Sequence, residues 1–90
     1  MYSKTVVVQN ASGLHARPAA DFVGCASKFK SKITIKRAGA DGDGVIAKSI
    51  IMLLSQGFCK GNEVEITAVG EDEAEAVDTL VALIESGFGE

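Results

Sequence analysis

Lys32-Ile33-Thr34-Ile35-Lys36 and Glu63-Val64-Glu65-Ile66-Thr67-Ala68 alternate polar and apolar side chains without a break. Successive side chains of a strand point to opposite faces, so each stretch has one apolar and one polar face. A parallel sheet is covered on both faces and has no use for that pattern. The two stretches therefore predict one sheet, antiparallel or mostly so. Water wets one side of it, and helices pack on the other.

The remaining elements fit around that half-open sheet. Thr5-Val6-Val7-Val8 is β-branched and reads as a first strand. Asn10-Ala11-Ser12-Gly13 is a cluster of turn formers. Pro18 then falls in what would be a first helical turn, the part of a helix that tolerates proline. Ala16, Ala19, Ala20, Val23 and Ala26 recur at helical spacing, with Phe22 and Phe29 beside them, predicting a helix over about 16–28. Gly39, Gly42 and Gly44 with Asp41 and Asp43 make Ala38 to Gly44 a loop or hairpin turn, and Val45-Ile46-Ala47 a short strand beside it.

Ser49 before Ile50-Ile51-Met52-Leu53-Leu54, and Gly57 after it, are start and stop signals for a short helix. Glu71-Asp72-Glu73 suits the start of a last helix. Ala74, Val77, Leu80, Val81 and Ile84 form its expected buried stripe, and Gly87 its C-terminal cap. The expected order is β-α-β-β-α-β-α, in the α+β class.

The chain has 90 residues, read as a single domain over 1–90. Its net charge of −3 gives no basic footprint for nucleic acid. No apolar run approaches the length of a membrane span. Met1-Tyr2-Ser3-Lys4 leads straight into the first strand, so no signal peptide is expected and the reading is cytoplasmic. Cys25 and Cys59 fit no C-x-x-C pattern, and with a single His they do not make an ordinary zinc site. They read as two partly buried thiols in a reducing compartment, and no metal or cofactor is expected.

His15, the one histidine, lies at a loop-to-helix junction and is followed by Ala16-Arg17-Pro18. The first turn of a helix presents unpaired N–H groups and a partial positive charge, so it attracts anions. Arg17 adds a permanent cation whose fork of donors suits phosphate. A neutral imidazole is a nucleophile that could attack phosphorus. These residues alone admit two readings: a phosphoryl acceptor, or a histidine that caps a helix beside a solvated arginine.

The run Ser12-Gly13-Leu14-His15-Ala16-Arg17-Pro18-Ala19 resembles the active-site signature of the HPr family, the histidine-containing phosphocarriers of the bacterial sugar phosphotransferase system. Lys48-Ser49-Ile50 resembles that family's regulatory-serine motif. Gly57, Lys60-Gly61 and Gly87-Phe88-Gly89-Glu90 also resemble family positions. The resemblance implies an open-faced β-sandwich, with a four-stranded antiparallel sheet and three helices on one face.

It also implies that His15 takes a phosphoryl group at Nδ1 from the phosphoenolpyruvate-dependent enzyme I and donates it to the IIA domains of sugar permeases. Arg17 and Ser12 would belong to that site, Arg17 steadying the group, and Pro18 would fix the first helical turn. Such a protein is a covalent carrier, not an enzyme, and is expected to be a monomer.

By the same resemblance, Ser49 matches the site of an ATP-dependent HPr kinase/phosphorylase in Gram-positive bacteria, which brings in a catabolite-control transcription factor as a further partner. Without it, Ser49 reads only as a helix cap worth about 1 kcal/mol. A phosphate there would add about −2 charge to the surface that partners use. The helix behind it is too uniformly apolar to be half-buried. Ile51 and Leu54 are the side chains expected to stay exposed, and with Ile50 they match the family's docking surface.

Some residues depart from the family pattern: the Ala38–Gly44 loop is longer and richer in glycine, Met52 stands where a small residue is common, and Gln56 where an apolar one is. Two rival readings accompany this one. One is a dedicated regulatory phosphocarrier outside sugar uptake. The other is a small α/β ligand-binding module without covalent chemistry, since fold does not fix function.

Overall fold

A computed structural model describes residues 1–89; Glu90, the last residue of the C-terminal run named above, lies outside the described residues. The elements are β1 (Tyr2–Val7), α1 (Ala16–Ala26), β2 (Lys32–Arg37), β3 (Val45–Ile46), α2 (Ile50–Ser55), β4 (Glu63–Val69) and α3 (Glu73–Glu85). A short 3₁₀ turn, Gly87–Gly89, follows. The four strands form one antiparallel sheet in the order β1-β4-β2-β3.

The alternation read from the sequence maps directly onto the two faces. Val6, Val8, Ile33, Ile35, Val64, Ile66 and Ala68 are buried on one side. Thr34, Lys36, Glu65 and Thr67 lie on the other side, half-exposed. The core lies between the apolar face and the helices, where Phe22, Leu53, Phe58, Leu80 and Ile84 are fully enclosed. Helix α3 packs on β1 and β4, and α1 packs on both α2 and α3.

Several boundaries differ from the sequence reading. Strand β1 begins at Tyr2, because β4 pairs with Tyr2, Ser3 and Lys4 regardless of their polarity. Its regular pairing ends at Val7, although Val8 is buried just beyond. Helix α1 stops at Ala26 rather than 28, since the next amides bond three residues back instead of four, Lys28 N–H to the Cys25 carbonyl at 3.1 Å and Phe29 N–H to the Ala26 carbonyl at 3.2 Å. Ala16 and Ala20 are exposed, whereas Pro18 joins Ala19, Phe22 and Ala26 in the buried stripe. Strand β3 has only Val45 and Ile46, paired with Ile35 and Thr34.

In α3 the stripe runs through Ala76, Val77, Leu80 and Ile84, and Ala74 faces solvent. Val77, Leu80 and Ile84 are buried as the spacing predicts and Val81 packs against the core, so only the first position of the stripe differs. Cys25 is half-buried, and that burial pushes its thiol pKa up. Cys59, expected to be partly buried, is exposed.

The long loop after β2 folds back towards the wet face. The Lys36 ammonium donates to the Ala40 and Gly42 carbonyls, 3.0 Å each, and reaches Glu65 at 3.6 Å. Gly44 lets the chain re-enter beside β2: a Cβ there would lie 2.5 Å from the Ile35 carbonyl oxygen, and its φ is +81°.

Asp72, at the start of α3, does not cap its own helix with its side chain. Its carboxylate instead accepts the Lys30 N–H at 2.8 Å, the Ser31 N–H at 3.0 Å and the Ser31 hydroxyl. This ties the turn before β2 to the start of α3. The Ser31 hydroxyl, followed by the Lys30 and Ser31 amides, holds the Asp72 carboxyl below the usual aspartate range.

A carboxyl lowered on folding stabilises the fold above its unfolded pKa. That contribution disappears as pH falls through the lowered value. Asp72→Asn is therefore expected to melt below wild type at neutral pH. The difference should shrink once the pH drops beneath the ordinary aspartate range. Melting temperatures across an acid series check this, and a difference independent of pH would contradict it.

Candidate functional site

The site is built from the turn after β1 and the first turn of α1. Asn10 is buried, and its side-chain amide donates to the Gly13 carbonyl at 2.8 Å. The Gly13 N–H closes the turn onto the Asn10 carbonyl at 3.1 Å. Gly13 has φ +66°, and a Cβ there would lie 2.6 Å from the Phe58 carbonyl oxygen, so only glycine fits. Leu14 is fully buried and plugs the turn into the core, and its N–H donates to that same Phe58 carbonyl at 3.0 Å.

These contacts deliver His15 to the N-cap of α1 with extended backbone, φ −128° and ψ 163°. The imidazole is half-exposed and makes no capping hydrogen bond. Histidine as a mere side-chain cap, the plainer of the two sequence readings, thus has no bond to represent it. Ala16 follows with φ +51°, in the left-handed region that a residue with a Cβ rarely adopts. Such backbone costs on the order of 1–3 kcal/mol and persists only where neighbouring contacts fix it. Here the neighbours are the buried Leu14 and the buried Pro18.

No acidic residue lies in the first turn of α1, in contrast to α3, which carries Glu73 and Glu75 there. The start of α1 therefore keeps its positive end open to an anion. The Arg17 side chain is 90% exposed, with Nε 3.9 Å from the Asp21 carboxylate. An ion pair so long and so wet contributes little and leaves the guanidinium mobile enough to meet an incoming group. Ser12 is exposed on the turn, with its hydroxyl 3.5 Å from the Asn10 side-chain amide nitrogen.

Ser49 is the N-cap of α2, and its hydroxyl accepts the Met52 N–H at 3.3 Å. Of the apolar run behind it, only Leu53 is buried. Ile51 is 76% exposed and Leu54 42%, and Ile50 and Met52 are also exposed. Because α2 packs against α1, this apolar surface and the His15 helix are neighbours. The Lys48 ammonium, which precedes Ser49, is held by the Phe29 carbonyl at 2.6 Å.

Two supports of the site were not legible in the sequence. Asn10 was visible only as a generic turn former. The Phe58 carbonyl carried no local signal at all, since its part depends on a contact between distant segments. Among the described residues there is no cluster of three or more His, Cys, Asp or Glu side chains able to hold a metal ion. Nor is any helix among them long and apolar enough to cross a membrane.

Residues 2–86 match the family model described as the PTS HPr component phosphorylation site. The phosphocarrier protein HPr of Haemophilus influenzae is 45% identical over 84 residues, covering 93% of this chain and 95% of that protein. The multiphosphoryl transfer protein of the same organism is 37% identical over 86 residues. That match takes in 96% of this chain but only 17% of the larger protein. Among solved structures, HPr-C-His from Thermoanaerobacter tengcongensis superposes with a TM-score of 0.92 at 49% identity, over 100% of this chain and 98% of that one.

Proposed function

The chain belongs to the HPr family of phosphotransferase-system phosphocarriers, and from that premise we propose that His15 is its phosphoryl acceptor. The observation that carries this reading is the half-exposed imidazole, free of any capping bond, at a helix start without acidic residues. The Nδ1 lone pair attacks the phosphorus of the donor, enzyme I, as the bond to the donor breaks. The same nitrogen then surrenders the group to the IIA domain of a sugar permease. Backbone N–H groups of the first turn and the Arg17 guanidinium supply hydrogen bonds to the phosphoryl oxygens in transit.

In this reading the protein acts in the cytoplasm as a monomeric, single-domain carrier. It is not an enzyme, because each half-reaction takes place in a complex with a partner. Incubation with phosphoenolpyruvate and a bacterial enzyme I tests it. A single acid-labile phosphoryl group should appear by intact mass, and no uptake would overturn the reading.

The surface around α2 completes the proposal. Ile50, Ile51 and Leu54 form the apolar patch that docks on enzyme I and IIA domains, beside the transferred group. Ser49 is the control point, phosphorylated by an HPr kinase/phosphorylase and then read by a catabolite-control transcription factor. A phosphate on Ser49 places a dianion at the edge of the apolar patch and repels an acidic partner face.

One titration of enzyme I covers both ideas. Leu54→Glu and the kinase-treated protein are each expected to bind roughly tenfold more weakly or worse, as befits loss of a desolvated apolar contact. Unchanged affinity for Leu54→Glu would remove the patch. Phosphate incorporation that persists in Ser49→Ala would remove Ser49.

A further inference from the structure

Arg37, at the end of β2, lies outside every motif considered so far, yet it makes three contacts on one short segment. Its Nη2 donates to the Gln56 carbonyl at 2.8 Å and to the Gly57 carbonyl at 3.2 Å. Its guanidinium lies 5.0 Å from the centre of the Phe58 ring, which is fully buried. The next carbonyl in line, that of Phe58, is the one that accepts the Leu14 N–H at 3.0 Å. Three consecutive carbonyls are thus divided between two clients. Two are held by Arg37, and the third holds the residue immediately before His15.

Helix α2 has no basic residue of its own in its last turn. Arg37 supplies that cation from the neighbouring strand, where the carbonyl end of a helix attracts one. Arg37 makes no ion pair among the described residues, so its charge is spent on these carbonyls and on the ring. Gly57 between them has φ +63°, a bend that external contacts must hold in one place.

We propose that Arg37 is a positioning residue for phosphoryl transfer at His15: it fixes segment 56–58, whose last carbonyl sets the height of Leu14 and hence of the imidazole. The proposal rests on the reading of His15 as the acceptor. Lysine is a poor substitute, because a compact ammonium lacks the planar face that lies along the Phe58 ring while its edge donates to the carbonyls.

Amide hydrogen exchange and phosphorylation kinetics on Arg37→Ala and Arg37→Lys test it. In Arg37→Ala the Leu14 amide should exchange roughly tenfold faster than in wild type, while the Ile66 amide in central β4 changes far less. The kcat/KM for phosphorylation by enzyme I should fall several-fold, with Arg37→Lys between the two. Leu14 exchange that moves only in step with Ile66, or a wild-type kcat/KM in Arg37→Ala, overturns the proposal. Wild-type protein that takes up no phosphate overturns it together with the acceptor reading. Leu14 exchange needs no partner, so it separates that outcome from a failure of Arg37 alone.

Discussion

His15→Ala is expected to take up no phosphoryl group at all from phosphoenolpyruvate and enzyme I, while melting close to wild type. The two halves of this expectation come from different observations. Chemically, the chain has a single histidine, so no second imidazole can stand in for it. Structurally, the side chain is half-exposed and contributes no capping bond, and the loop is held by its neighbours Gly13, Leu14 and Pro18. Removing a side chain from such a position changes stability by about 0.5 kcal/mol or less. Intact mass under neutral and acidic conditions, together with a thermal melt, checks both halves. An acid-labile mass gain that survives in the variant would move the acceptor elsewhere.

Phe22→Ala should cost about 3–5 kcal/mol of folding stability, the range for deleting a buried aromatic ring. Phe22 is fully enclosed on the inner stripe of α1, and α1 is the helix that joins α2 to α3. A small domain has only about 5–15 kcal/mol to lose, so the variant would sit near the edge of its stability. Denaturant unfolding gives the number directly. A loss below about 1 kcal/mol would mean that the helices close over the gap, contrary to a close-packed core. The contrast with His15→Ala separates two parts of one helix: its first turn holds the proposed acceptor, and its inner stripe carries the fold.

The sheet was legible because its signal is periodic. From Lys32 to Lys36 in β2 and from Glu63 to Ala68 in β4 each side chain's polarity reports its face, and the observed burial follows it; the rule lapses only at the strand ends, where Arg37 and the apolar Val69 are both exposed. Tyr2-Ser3-Lys4 escaped notice as strand because an edge strand is held by its partner's hydrogen bonds, and those leave no pattern in its own side chains. The phase of α3 was legible too, in Val77, Leu80 and Ile84, and only its first position differs, since Ala74 and Ala76 are equally apolar and packing decides between them.

At the site, His15, Arg17 and Ser49 stood out through motif and helix-boundary chemistry, which are local. The left-handed backbone at Ala16 and the bond from Leu14 to Phe58 did not stand out. Both arise from segments brought together by the fold, and no short stretch of sequence encodes them.

The strand order also governs the sequence of assembly. β1 pairs only with β4, and β2 pairs with β4 and with two residues of β3. A nascent chain that ends before Glu63 therefore contains nothing of this sheet except the short β2–β3 ladder. The strand made first waits for the strand made last, and contacts so distant in sequence are the slow ones to form. The turn bearing His15 leaves β1 directly, and the carbonyls that anchor it, Phe58 for the Leu14 N–H and Asn62 for the Val8 N–H at 2.9 Å, emerge just ahead of β4. A truncated or stalled chain thus carries the histidine without its setting, and the setting appears only when the centre of the sheet arrives.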